Sequence, residues 1–370
     1  MRYRRTALGA AAAAAALVAA FPATASAGGW DHDPVSTVAG GLSGPFQLSD
    51  YRGGKLVVAE NEAGEVSSVD PYSGRVRTLV SGLGPVSGVD YANGLLYMAI
   101  GDATGEPGSP PPPAGTPSDQ LVVARPDGTK LTTVDLLAYE KAHNPDGQVQ
   151  LVNGQPVDAL SNPFSVLAQG HRVLVADAGA NDVLSVDRHG KVSTFAVLPV
   201  VKDGECATRP ENDPTTFGCD PVPTGLAYGP RGELYVSALA AEAAGQGRVY
   251  VLDSRTGKLL RTLTGFDSPT GVAVDSRGNV YVSEAVWGMP AMEGPDDAPS
   301  VPDPAAIGRI VKVDRDGKNP TYAKVPQPIG LVWADGSLYS TSYSLMASFL
   351  QTPHAGQVVK VSRSAFVAGH

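Results

Sequence analysis

The sequence is short of cysteine, histidine, aromatic residues and charge. It has two Cys and six His, with 6% aromatic and 18% charged residues. Two cysteines exclude a disulfide-built fold. Cys206 and Cys219 lie in the polar stretch ECATRPENDPTTFGCD, where one local bridge would stabilise by roughly 3 kcal/mol. They lack the further Cys or His that a zinc pair requires. Beyond the N-terminus no apolar run approaches the ~20 residues of a membrane span. No G-x-S-x-G elbow, P-loop or clean dinucleotide glycine motif occurs, which removes those routes to hydrolysis, phosphate transfer and hydride transfer. Low charge together with 42% hydrophobic residues also argues against disorder.

What the chain does have is Gly and Pro. The 43 Gly and 31 Pro make up one residue in five of the 370. In a helix interior they cost about 1 and 3 kcal/mol against Ala, so many short strands joined by turns are expected. Residues 1–27 read as an export signal: three Arg within Met1–Arg5, an Ala-rich run from Ala7 to Ala20, and a small-x-small cleavage site at Ala25-Ser26-Ala27. Of the 28 basic residues, three leave with this segment while all 37 acidic residues stay, so the remainder carries −12. Such a chain repels nucleic acid and anionic membrane surfaces. The expectation is an extracytoplasmic protein with no nucleic acid partner and no membrane span, monomeric, with its Cys206–Cys219 bridge intact.

Six segments repeat one pattern of a Pro, an apolar strand, a tight Gly turn and a second strand. They open at Pro45 (PFQLSDYRGGKLVVAE), Pro85, Pro163, Pro223, Pro269 (PTGVAVDSRGNVYVSE) and Pro328. A third strand follows each, as in VLSVD (183–187) and IVKVD (310–314), and most copies continue to a fourth. Six copies of a four-stranded antiparallel unit predict an all-β six-bladed propeller. The last copy lacks a fourth strand near the C-terminus, and VSTVA (35–39) is expected to complete it. The domain organisation is thus a signal segment and one propeller over 28–370.

Connections between strands one and two, and between three and four, are short throughout. The long ones, 101–119, 135–161, 199–222, 238–248, 285–308 and 343–357, all belong on the opposite face, and long loops in compact domains are usually functional or disordered. That long-loop face is the expected working surface. In 135–161, LLAYEKAHNPDG predicts two helical turns stopped before Pro145. It brings Glu140, His143, Asn144 and Asp146 to the face, and Asn162 and Asn181 are further candidates. At the ends of the second strands stand Glu60, Ile100, Asp177, Ala238, Glu284 and Ser342, with Asp102 just after Ile100. The carboxylates of Glu60, Asp177 and Glu284 have two possible uses. They could form an oxygen-rich ring for Ca²⁺, the one cofactor candidate, or accept backbone N–H groups of their own loops, the commoner use. Among the histidines, only His143 and His354 suit a general base by position. The Asp at 70, 187, 253 and 314 read as turn residues on the other face.

The repeats PTGVAV, GNVYVSE and RIVKVD resemble NHL and sugar-lactonase six-bladed propellers. More specifically, DLLAYEKAHNPDG (135–147), SNPFSVLA (161–168), VLVADAGANDVLSVDRHGKVSTFAVLP (173–199) and the early GGLSGP resemble the ScyD/ScyE family over essentially the whole exported chain. That resemblance implies fold and export and carries no residue roles. The lactonase resemblance implies a divalent cation held by Glu, Asn and Asp beside the blade openings. The corresponding positions here are Gly44, Gly84, Asn162, Val222, Ser268 and Gln327, of which Asn162 alone matches. A quinoprotein sugar dehydrogenase, with His143 or His354 as base, lacks a basic cluster for the quinone carboxylates. The leading expectation is therefore a propeller that binds a small molecule or protein partner on the long-loop face, with no assignable catalytic centre. The alternative is a metal-dependent hydrolase or lactonase with a cation at the channel mouth.

Overall fold

Successive strands of the chain pair in antiparallel hairpins, and their burial explains the sequence pattern. Second strands such as Lys55–Glu60 are buried almost throughout, whereas a fourth strand such as Val76–Val80 is largely exposed or half-buried. Continuous apolar runs therefore mark strands covered on both faces by neighbouring sheets, and alternation marks the periphery. The computed structural model describes residues 33–104, 111–152, 155–157, 160–210, 217–289, 303–346 and 352–369. Residues 1–27, the expected export signal, lie outside these residues, as do His32, Pro110 and His370. Among the described residues no helix is long and apolar enough to cross a membrane.

Residues 34–370 form one unit of six blades. Their innermost strands are Pro45–Tyr51, Val86–Ala92, Pro163–Gln169, Pro223–Tyr228, Pro269–Val274 and Leu331–Ala334. Six apolar clusters fill the spaces between consecutive blades. Ile100 and Met98 pack with Val57 between blades 1 and 2, and Leu48 and Val58 pack with Tyr339 between blades 1 and 6. The ring closes as the repeats required. Val35–Leu42 pairs antiparallel with Gly356–Val361, from Val35 opposite Val361 to Leu42 opposite Gly356, so both chain ends build blade 6.

Among the described strands, two features go beyond the repeat pattern. Val367–Ala368 adds a fifth strand to the edge of blade 5, opposite Thr321 and Tyr322, covering an edge that would otherwise present unpaired backbone. Gln150–Val152 and Gln155–Val157 form a small hairpin inside the long 135–161 connection.

The channel is narrow because its walls are small. A side chain at Gly271 or Gly330 would collide with the backbone oxygen of Ile329 or Phe46 in the next blade, so glycine lets the inner strands meet. Gln47 occupies the equivalent place in blade 1. Its Nε2 donates across the axis to the carbonyl oxygens of Thr224 (3.0 Å) and Thr270 (2.8 Å), which closes the waist. On the short-turn face, Asp70, Asp187, Asp253 and Asp314 each accept backbone N–H groups of their own turns. Those bonds, preceded at Asp253 by the Thr256 hydroxyl, favour the charged form and lower their pKa values.

Candidate functional site

The long-loop face carries the helix Leu136–His143. The Asp135 side chain caps it by accepting from Ala138 N at 2.8 Å, and Asn144 ends it in a left-handed conformation, φ 41°, with its N–H bonded to Glu140 O. Leu136 and Glu140, one turn apart, form the buried side of the helix. Leu136 joins the apolar cluster between blades 2 and 3. Glu140 is thereby carried beneath the surface, 1% exposed, where the sequence suggested a residue near the channel mouth. His143 stays exposed, its ring stacked on Tyr139 at 4.2 Å and its Nδ1 bonded to Tyr139 O.

Below the helix, carboxyl groups gather with no counter-charge. Asp182 is fully buried, and neither of its oxygens has a partner among the described residues; Glu140 Oε1 and Asp119 Oδ1 share that condition. Burial, reinforced by the negative charges of Asp177 and Asp146, pushes Glu140 up to about 8. Burial also raises Asp182 well above the carboxylate range, followed by the charges of Glu140, Asp177 and Asp146. Asp119 is pushed up to about 6, chiefly by burial. Glu140 is therefore mostly an uncharged acid at neutral pH, whereas Asp119 is mostly ionised there. Asp182 was not singled out by sequence reasoning, because it looks like any polar residue at the start of a third strand. The arginines at comparable places in blades 4 and 5, Arg248 and Arg309, pair with Asp203 and Glu284.

The NPDG and DAGAND segments meet here. Asn181 Nδ2 donates to Asp146 Oδ2 at 3.1 Å, and its Oδ1 accepts from Val222 N at 3.2 Å. Asn144 Nδ2 donates to Gln148 O, and Gln148 N donates to Asp146 Oδ1. Asn181, 1% exposed, therefore ties the insertion to the opening of blade 4.

The strand-end carboxylates hold blade openings. Glu60 Oε2 accepts from Ser43 N at 2.8 Å. Asp177 accepts from Ser161 Oγ and from the backbone N–H groups of Asn162, Gly179 and Ala180; burial nevertheless pushes it up to about 6. Glu284 accepts from Asp267 N at 2.7 Å and pairs with Arg309, whose guanidinium sits over Trp287 and Tyr322. Ser43, Ser161 and Asp267 each stand two residues before a blade-opening Pro, so one device recurs in blades 1, 3 and 5. Asn162 Oδ1 accepts from Asp102 N, and the exposed Asp102 carboxylate bonds Thr104.

Neither the lactonase positions nor the alternate-blade carboxylates fit a channel cation. Gly44, Gly84 and Val222 offer no side-chain oxygen and Asn162 Oδ1 already accepts from Asp102 N, which leaves only the neutral Ser268 and Gln327, the latter with a buried Oε1 that has no partner among the described residues. Among the described residues no three His, Cys, Asp or Glu side chains form a group able to hold a metal ion.

A pairing far apart in sequence is more suggestive. Ser43 Oγ lies 2.7 Å from His354 Nδ1, at a sequence separation of 311. Ser43 precedes the opening of blade 1 and His354 lies in the long connection of blade 6, so ring closure joins them. Ser43 is 6% exposed with its backbone anchored by Glu60, while His354 is exposed. No local signal marks Ser43 in the sequence. The rings of Phe46, next to Gln47 in blade 1, and of Phe164 in blade 3 meet at 5.7 Å. The expected Cys206–Cys219 bridge is formed, within a small apolar cluster with Val201, Ala240 and Ala243.

The sequence matches no protein-family model and no curated protein. Similarity is found among solved structures. A luciferin-regenerating enzyme is 13% identical, with 90% of this chain and 97% of that one covered and a TM-score of 0.53. A gluconolactonase from Xanthomonas campestris is also 13% identical, with 88% and 89% covered and a TM-score of 0.53. A putative glucose dehydrogenase from Thermus thermophilus is 18% identical, with 88% and 98% covered and a TM-score of 0.52. At these identities the likeness establishes the propeller fold and nothing finer.

Proposed function

We propose that the long-loop face hydrolyses a small ester or lactone, with Ser43 as nucleophile and His354 as its base. The observation that carries this reading is the 2.7 Å contact between Ser43 Oγ and His354 Nδ1, the arrangement that activates a hydroxyl. The substrate class is taken from the gluconolactonase among the structural neighbours. Ser43 Oγ attacks the carbonyl carbon and its proton passes to His354. The C–O ring bond then breaks, and His354 returns the proton to the departing oxygen. Water, deprotonated by the same imidazole, releases the acid and restores Ser43. The half-buried Phe46 and Phe164 rings supply an apolar floor for the rest of the molecule. No step passes through a metal. Export through residues 1–27 and kinship with ScyD/ScyE proteins belong to the same reading; secreted protein beginning at Gly28 is the check on export.

A lactone and ester panel, run with chelator and with Ca²⁺, Mn²⁺ or Zn²⁺, tests the reading. Turnover that survives chelator and is lost in both Ser43→Ala and His354→Ala is the expected result. Metal-stimulated turnover abolished by combined Glu60→Ala, Asp177→Ala and Glu284→Ala would replace this reading with a cation-dependent one. The second reading, a binding surface without chemistry, is favoured by the Phe46–Phe164 pair beside the Gln47 plug. It stands if no substrate turns over while a ligand still protects the fold.

A further inference from the structure

The short-turn face, which the sequence leaves without a role, carries a groove of net positive charge between blades 1 and 2. A cavity of about 690 Å³ is lined there by Arg52, Lys55, Arg75, Arg77 and Arg125, over a floor that includes Tyr51, Leu79 and Leu95. The chain as a whole carries −9, so five cations in one depression run against its average charge. None of the five forms an ion pair with a described residue. The two acids lining the groove, Asp70 and Asp127, accept from Tyr72 N and Thr129 N and so brace their own turns.

The placement follows from the fold. Arg52 and Lys55 flank the first hairpin turn of blade 1, Arg75 and Arg77 begin its outermost strand, and Arg125 opens the last turn of blade 2. Four of these side chains are exposed and Lys55 is half-buried, so their donors face solvent. We propose that this groove binds an anion bearing several phosphate groups. Guanidinium forks match phosphate oxygens in paired hydrogen bonds, and a cavity of this size lies in the range that holds small ligands. Five cations against two acids leave the walls net positive, which concentrates the field on the groove. A single phosphate would engage one or two of the five cations, whereas a chain of phosphates engages them together. The site lies on the face opposite Ser43 and His354 and does not depend on the hydrolase reading.

Calorimetry with inorganic tripolyphosphate and orthophosphate, at low and at physiological salt, tests it. Tripolyphosphate is expected to bind at least tenfold more tightly than orthophosphate, to weaken as salt rises, and to lose at least tenfold in an Arg77→Gln, Arg125→Gln variant. Thermal melting of that variant confirms its fold, and a single Arg75→Gln variant gives an intermediate loss if the double variant melts early. Absence of heat at low salt, equal affinity for the two anions, or unchanged affinity in folded variants overturns the proposal.

Discussion

Replacing Glu140 by Gln should stabilise the protein at neutral pH, although it alters a fully enclosed side chain. Glu140 ordinarily releases its proton near 4.5, and in the fold it does so near 8, because it is buried and faces Asp177 and Asp146. Between those values the folded chain binds more protons than the unfolded one, so stability falls as pH rises. The favourable protonation is fully present below about 4.5 and lost above about 8. At roughly 1.4 kcal/mol per pH unit, ionisation of Glu140 costs up to about 3 kcal/mol of stability at pH 7. Asp182 bears part of the same repulsion, and residual solvent screening reduces it further. A gain of about 1–2 kcal/mol is therefore expected for Glu140→Gln, or about 2–4 °C in Tm. Denaturant melts at pH 5, 6, 7, 8 and 9 give the assay: wild type should lose stability across this range, and the variant should lose distinctly less. A variant less stable than wild type at pH 8, or parallel profiles, would refute the reasoning that these acids lie unpaired.

Other perturbations test the framework. Deleting 35–39 removes most of the outer strand of blade 6 and should lower Tm by more than 10 °C; melting like the full chain would contradict closure by that strand. Gly271→Ala forces a Cβ onto Ile329 O and should destabilise by about 2 kcal/mol or more in denaturant melts, as overpacked sites do. Arg309→Met leaves Glu284, 0% exposed, with a buried charge and no cation. About 3–5 kcal/mol should be lost at pH 7, and less at pH 4, where Glu284 can take up a proton.

Repetition made the fold legible in the sequence. Six blade-opening prolines, their glycine turns and a strand missing at one end but present at the other determine the ring. The strand Val367–Ala368 escaped notice because two residues carry no period. The helix was visible in LLAYEKAH, but the direction of Glu140 was not, since its burial depends on Asp182 and Asp177 in another blade. Glu60, Asp177 and Glu284 were visible as an alternating series. Their hydrogen bonds to blade openings needed coordinates, because sequence does not show which N–H groups face a carboxylate. The Gln47 plug and the Ser43–His354 contact are products of closure, which brings together residues from distant blades or opposite ends of the chain. The short-turn aspartates behave as turn residues, while the arginines beside them converge only once blades 1 and 2 are placed side by side.

The most direct test of the catalytic claim is covalent labelling with a fluorophosphonate ester, read by peptide mass spectrometry. The account predicts one adduct, on Ser43, absent from Ser43→Ala and much slower to form in His354→Ala. A protein that remains unlabelled, or that is labelled at another residue while Ser43 stays free, would contradict it.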